Sequence, residues 1–365
     1  MEIFFSIYLG FFQRNFIFIR DNLSMKDTYP KDLEYYLAIY LLKKGIGSRK
    51  AREAVESKKY RTWFRNEDYI KQVNQLIVKL LKEKIGIIPY WSGKYPLRLK
   101  EIADFPALLF YKGSLEALKK RMVTIVGTRN ITSYGRMIVR ELIGSVRSEK
   151  ICYVSGLAFG VDSEVHSIAL ERDVSTIAVV AGGLDQGYPK SNDYLYRQIS
   201  ENGLIISEFP PGRPVVKGMF PMRNRILAGL SEATIVVEAP ASSGSLITAR
   251  YAGDLGRDVY AFPSRIGDKN AFGVNRLISE GAGIIYDLDS WRDVLKVGAE
   301  ITLPKWIPKS LRVAFIRSRA GDEWDVPKLE KITGFGQDRL MSLLTKCELE
   351  GILCRKPDGK YYINT

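Results

Sequence analysis

Histidine is almost missing from this 365-residue chain, with His166 the single example. Zinc sites built on several imidazoles are thereby ruled out, and neither HExxH nor a CxxC pair occurs. His166 falls one turn into a helical stretch, "GVDSEVHSIAL", and reads as a packing or capping residue. Cysteine is scarce as well. Cys152, Cys347 and Cys354 are too few and too scattered for a disulfide framework, which points to a reducing compartment and a cytoplasmic protein. Cys152 sits in an apolar run and Cys347 in a helical pattern, as small core residues do. The greasiest stretch, "MEIFFSIYLGFFQRNFIFI", is broken by Gln13, Arg14 and Asn15 and carries no basic leader or cleavage signature. No membrane partner is expected, and with Met25 following, residues 1–24 read as an N-terminal extension or a mis-assigned start. Phosphate and cofactor signatures are missing in turn. There is no GxxxxGK[ST], no GxGxxG trailed by an acid, and no acidic cluster ready for Mg²⁺. No cofactor, metal ligand or catalytic residue is expected.

Positive charge, in contrast, is plentiful: the formal net charge is +14. Its distribution matters more than its size. Residues 26–100 carry an excess of ten Lys/Arg over Asp/Glu, residues 101–300 are balanced, and residues 301–365 carry an excess of four. A basic surplus of this kind suits a polyanionic partner such as nucleic acid.

The centre alternates apolar runs with helical patterns. Strands are expected at 123–126, 151–155, 176–180, 204–207, 233–237, 258–262 and 283–286, and helices at 134–149, 161–172, 192–201, 224–230, 245–256 and 274–280. "VTIVG", "TIAVVAGG" and "TIVVEA" are apolar on both faces, as parallel strands covered by helices must be. The fold class is therefore α/β, a Rossmann-like doubly wound sheet. Four parts are expected: a helical domain at 25–85, the sheet domain at 86–300, a linker at 301–309 and a small C-terminal domain at 310–365. Within the first, "LLKKGIGSRKAREAV" has the shape of a SAM- or helix-hairpin-helix-like unit, whose glycine turn can offer amides to a phosphate. In the last, "DVPKLEKITGFGQDRLMSLLTKCELEGIL" places Leu340, Leu343, Leu344 and Cys347 on one helical face ahead of a hairpin. That order suits a winged helix-turn-helix, a module that in some proteins binds DNA and in others only mediates protein contacts.

In a doubly wound sheet, ligands bind beyond the carboxyl ends of the strands. The loops there are unusual. "GTRNITSYG" brings Gly127 and Arg129, "SGLAFGVD" brings Gly156 and Phe159, and "AGGLDQGYPKSN" ends in Lys190. "EFPPGRPVVKGMFPMRNR" leads to Arg223, Asn224 and Arg225, and "EAPASSGSLITA" supplies Ser243, Gly244 and Ser245. Glycine-rich turns at helix starts expose backbone N–H groups, and four cations on the same edge make it receptive to phosphate. Guanidinium groups pair with phosphate and stack on bases, which suits a single strand with splayed nucleotides. Phe159 and Phe220 lie in the same loops as either stacking faces or core residues.

These motifs resemble the DNA-processing protein A family (DprA, also called Smf). The likeness runs over roughly residues 30–365 and includes "YPLRLKEIADFPALLFYKG", "VGTRNITSYG", "SGLAFGVDSEVHSIAL", "GGLDQGYPKSN", "SEFPPG", "FPMRNRILAGLS", "VVEAPASSGSLITARYA" and "GRDVYAFP". It implies a helical domain, an extended Rossmann-like domain and a winged helix. It also implies a non-catalytic mediator that binds single-stranded DNA, pairs as a homodimer through the Rossmann-like domain, protects incoming DNA and loads the RecA recombinase during natural transformation. Carried onto this chain, the family's DNA pocket corresponds to Gly127, Arg129, Gly156, Lys190 and Arg223 to Arg225, lined by Ser243 to Ser245. Val165 stands where the family more usually has alanine, and the stretch before Met25 has no family counterpart. Two alternatives stand beside this reading. A nucleotide-processing enzyme like the "lonely guy" phosphoribohydrolases would need a catalytic glutamate where Ile247 and Thr248 stand, leaving Glu208 and Glu238 as general bases or as loop-organising acids. A winged-helix regulator with a nucleotide-sensing sheet fits the architecture but leaves the cationic rim unexplained.

Overall fold

The computed structural model describes residues 47–57, 75, 76, 78–145, 150–185, 187–295, 306–308, 310, 311, 315, 323–350, 352–356 and 358–363. The N-terminal extension, the first half of the Gly-Ile-Gly turn and most of the linker lie outside them. The chain divides into two compact units, Met1–Arg140 with Glu149–Ile284, and Glu141–Ser148 with Ile285–Thr365.

The first unit opens with α1 (Ser48–Glu56) and then builds one nine-stranded sheet. Its elements are β1 (Gly86–Pro89), β2 (Leu108–Gly113), β3 (Arg121–Val126), α2 (Ser133–Ser145), β4 (Ile151–Ser155), α3 (Val161–Glu171), β5 (Ser175–Val179), α4 (Asp193–Asn202) and β6 (Leu204–Ser207). The chain continues through α5 (Met219–Leu230), β7 (Ala233–Val236), α6 (Ser245–Asp254), β8 (Asp258–Ala261), α7 (Phe272–Ser279) and β9 (Gly283–Ile284). The strand order is β1-β2-β6-β5-β4-β3-β7-β8-β9, so the chain winds outward from β3 to β6 and returns on the other side with β7. From β6 to β9 every pairing is parallel, as expected from the strand–helix alternation. β1 and β2 add an antiparallel extension beyond β6. This pair was not foreseen as strands, because four to six residues around Pro89 and Gly113 leave too little periodicity to read.

The central strands are buried on both faces. Ala178 and Ile205 join the core that also takes in Val55 of α1, Leu80 and Phe110, while their neighbours Ile177, Val179, Leu204 and Ile206 join the opposite core with Ile226 and Leu227 of α5. The period-two alternation of a strand divides them in this way. Two hydroxyls in this interior find carbonyl acceptors: Thr124 Oγ1 donates to the Leu227 carbonyl at 2.9 Å and Ser155 Oγ to that of Ile125 at 2.7 Å.

The second unit contains α8 (Leu288–Leu295), α9 (Val326–Thr333), α10 (Gln337–Leu349), β10 (Leu353–Arg355) and β11 (Tyr361–Ile363). Local signals set α9. The Asp325 carboxylate accepts from the Lys328 N–H at 2.7 Å, Pro327 occupies the first turn, and Gly334 ends the helix at φ 70°. Leu340, Leu344 and Cys347 of α10 are buried with Trp324 and Tyr361. Two helices followed by a hairpin is the order a winged helix-turn-helix would have. Among the described residues no helix is long and apolar enough to cross a membrane.

Candidate nucleic-acid interface

The sheet reverses its winding between β3 and β7, where Val126 pairs with Val236 and the two following loops emerge side by side. The first loop, 127–132, is fixed by Glu238 from the second. The Glu238 carboxylate accepts from the Thr132 N–H at 3.0 Å and from its hydroxyl, and the Glu238 carbonyl accepts from the Thr128 N–H at 2.7 Å. A β-carbon on Gly127 would lie 2.5 Å from Val161 Cγ2 and 2.9 Å from the Glu238 carbonyl, so only glycine allows this approach. Pinned in this way, the loop projects Arg129 and Asn130 into solvent.

Between the loops is a basin of about 370 Å³ lined by Gly127, Arg129, Arg223, Asn224, Ser243, Gly244 and Ser245, together with Asn130, Asp162 and Thr248. Its volume lies within the usual range of ligand sites. Arg129 makes no ion pair among the described residues, and its guanidinium carbon lies 5.3 Å from the Phe220 ring centre. Arg223 is 5% exposed and donates to the carbonyls of Gly156 and Val179 and, through Nε, to Asn224 Oδ1 at 3.1 Å. It too has no salt bridge among the described residues. Burial lowers its pKa, with the Asp162 carboxylate acting against that through space and Arg129 adding to it. Burial likewise raises the Asp162 pKa, partly offset by Arg223. The Asn224 amide donates to the Gly244 carbonyl at 3.1 Å and fixes the start of α6. Gly244 has ordinary φ, and a β-carbon there would touch nothing, so the protein's own packing does not require glycine.

Three of the expected site residues sit otherwise than on the basin wall. α5 begins at Met219 rather than at residue 224, because Pro221 falls in its first turn, where a missing N–H does no harm. Arg223 and Arg225 are therefore two residues apart on one helix and cannot share a face. Arg225, 5% exposed, points away from the basin and donates to both carboxylate oxygens of Glu208 at 2.8 and 2.9 Å. Glu208 also accepts from the Ser48 hydroxyl of α1. Gly156 reaches solvent-facing walls only through its backbone, since its missing side chain admits Arg223, whose guanidinium would be 2.2 Å from a β-carbon. Lys190 is exposed but lies outside the basin, next to Pro189, which lines a second, narrower cleft with Arg129, Phe159, Tyr188, Phe220 and Arg223.

Glu208 and Glu238, the two acids weighed as general bases, are both 2% exposed and both engaged by the protein's own donors. His166 is fully buried, its Nδ1 lies 2.7 Å from the Thr176 hydroxyl, and burial with the nearby Arg223 pushes its pKa down to about 3. It packs, as expected. Among the described residues no group of three or more His, Cys, Asp and Glu could hold a metal ion. Asp162, Asn130, Thr248 and Tyr188 were missed in the sequence. Asp162 stood in plain view in "GVD", but nothing there signals that an acid will face a basic pocket.

The family model described as DNA recombination-mediator protein A matches residues 86–296. The DNA processing protein DprA of Bacillus subtilis is 40% identical over 224 residues, covering 61% of this chain and 75% of that one. The X-ray structure of DprA from Streptococcus pneumoniae is similar at 33% identity and a TM-score of 0.57, covering 73% of this chain and 93% of that one. A structure of DNA processing protein A from Helicobacter pylori, described for its single-stranded DNA binding mode, is similar at 29% identity and a TM-score of 0.54, covering 58% and 96%.

Proposed function

Since the chain belongs to the DNA recombination-mediator protein A family, we propose that it binds single-stranded DNA along the carboxyl rim of its sheet and passes the strand to a RecA-type recombinase. The observation that carries this reading is the basin at the winding reversal. There an exposed Arg129 and a buried Arg223 face a serine- and glycine-lined helix start, with Asp162 the single acid among the lining residues.

The mechanism is electrostatic and geometric. Arg129 neutralises phosphates and releases their counterions, while Arg223, held by two backbone carbonyls, supplies fixed charge that needs no reorganisation on binding. Gly244 lets a sugar–phosphate chain approach the backbone closely. Lys190 adds a contact further along the rim. Two copies paired through this domain would present two basins and hold a strand extended for filament growth, protecting incoming DNA in the cytoplasm during natural transformation. The winged helix at 310–365 and the basic helical domain at 25–85 act as accessory modules. With Glu208 and Glu238 engaged in structure, the reading is of a binder and not of a nucleotide-cleaving enzyme.

The test is a fluorescence-anisotropy titration with single- and double-stranded oligonucleotides over a salt series, repeated with recombinase. The single strand binds more tightly, and Arg129→Ala weakens it about tenfold and lowers the log–log salt slope by roughly 0.7. Equal affinity for both forms, or an unchanged slope in the variant, overturns the reading.

A further inference from the structure

We propose that Tyr188 and Phe159 form a nucleobase-stacking subsite, so that the rim selects polyanions carrying unpaired bases over polyanions that carry none. The inference rests on the single-strand reading above and deepens it.

Phe159 is 46% exposed and Tyr188 is 49% exposed, and both line the narrow cleft beside the basin. The Tyr188 ring lies 5.8 Å from that of Phe220 at an interplanar angle of 51°, and the Arg129 guanidinium lies 5.3 Å from the same Phe220 ring. A guanidinium and two rings thus form a row leading from the basin toward Lys190. Aromatic side chains are normally buried for the area they remove from water, so half-exposed rings grouped at a cationic site point to a planar ligand.

The backbone supplies a second, independent observation. Leu157 adopts φ 57° with its side chain fully buried, and Gly160 follows at φ 75°. A left-handed leucine is uncommon and strained, and such strain gathers where a loop must present a particular side chain. The turn is held in place by the Asn192 amide, which donates to the carbonyls of Leu157 at 3.1 Å and Ala158 at 3.5 Å. Its effect is to leave Phe159 half-exposed at the cleft that Tyr188 also lines. The cleft itself holds about 30 Å³, an order of magnitude less than a usual ligand site. A base therefore lies across its aromatic mouth and not inside it. Stacking uses the π-face common to all four bases, so the subsite distinguishes a base from no base and does not read sequence.

The experiment compares a thymidine oligomer with a same-length oligomer of abasic tetrahydrofuran residues, which has the same phosphates. The wild-type protein prefers the thymidine strand by roughly tenfold or more. The double variant Tyr188→Ala/Phe159→Ala reduces that preference to within about twofold and leaves affinity for the abasic strand unchanged, which also shows that the fold is intact. Tyr188→Phe keeps the preference. A wild-type protein indifferent to the bases, or a double variant that retains the full preference, overturns the subsite while leaving the single-strand reading standing. Failure of both strands to bind overturns the single-strand reading itself, and the subsite with it.

Discussion

The carboxyl rim of the sheet and the C-terminal helix–hairpin unit both carry arginines and lysines, yet they hold them in different states. At the rim, Arg129 is exposed without an ion pair among the described residues, and Arg223 is buried on carbonyl oxygens. In the C-terminal unit, residues 323–363 contain seven Lys/Arg and seven Asp/Glu. Lys356 and Lys360 bridge to Glu323, and Arg339, Lys346 and Arg355 lie 4.4, 4.1 and 5.6 Å from the ring centres of Phe335, Trp306 and Tyr361. Net charge sees the two regions as similar. What separates them is how much of each charge is left for a ligand.

The largest expected effect comes from the one rim arginine held in a buried ion pair. Glu208→Ala leaves buried Arg225 with only the Asp104 carboxylate at 3.7 Å in place of its close partner, and removes the acceptor of the Ser48 hydroxyl. Breaking a buried pair from one side costs about 3–5 kcal/mol, so thermal unfolding should move down by on the order of 10 °C. Arg129→Ala, in contrast, should leave the melting temperature within a degree or two. A Glu208→Ala protein that melts with the wild type would show that the rim arginines do not differ in kind.

The same distinction marks how far the sequence could be read. All seven parallel strands were found, because burial on both faces writes an apolar run that is hard to mistake, as in "TIVV" and "ICYVS". Gly127, Arg129, Asn224 and Ser243 to Ser245, expected at the carboxyl rim, line the basin because the loop after a parallel strand must open there. What failed was side-chain direction. The expected helix began at residue 224, which left Arg225 in its first turn and facing the rim; the actual helix begins at Met219 and turns Arg225 toward Glu208. The left-handed Leu157, which determines where Phe159 points, has no sequence signature at all.

Asp162 sharpens the comparison from the opposite side, as the acid that faces the rim's free charge. Burial raises its pKa in the folded protein, so its contribution to stability is present below the ordinary carboxyl pKa and is lost as pH rises through the folded value. DNA phosphates in the basin would raise it further. Binding then takes up a proton, and affinity climbs as pH falls toward that folded value. Asp162→Asn removes the repulsion, strengthening single-strand binding at neutral pH by about fivefold, or ~1 kcal/mol, and flattening the pH profile. Anisotropy between pH 5 and 8 tests both parts. A weaker-binding variant, or one with an unchanged profile, would mean that Asp162 does not face the phosphates.

The smallest effect is expected where the charge is already occupied. Arg339→Ala and Lys356→Ala remove cations that rest on Phe335 or bridge to Glu323. Exposed pairs of this kind are worth little to the fold and offer little to a polyanion, so single-strand affinity should change by less than about twofold and the salt slope should stay as it was. The comparison breaks if either substitution matches the tenfold loss expected of Arg129→Ala. In that case ligand phosphates would be displacing Glu323 and Phe335 from their cations. Charge count would then describe both regions better than charge availability does.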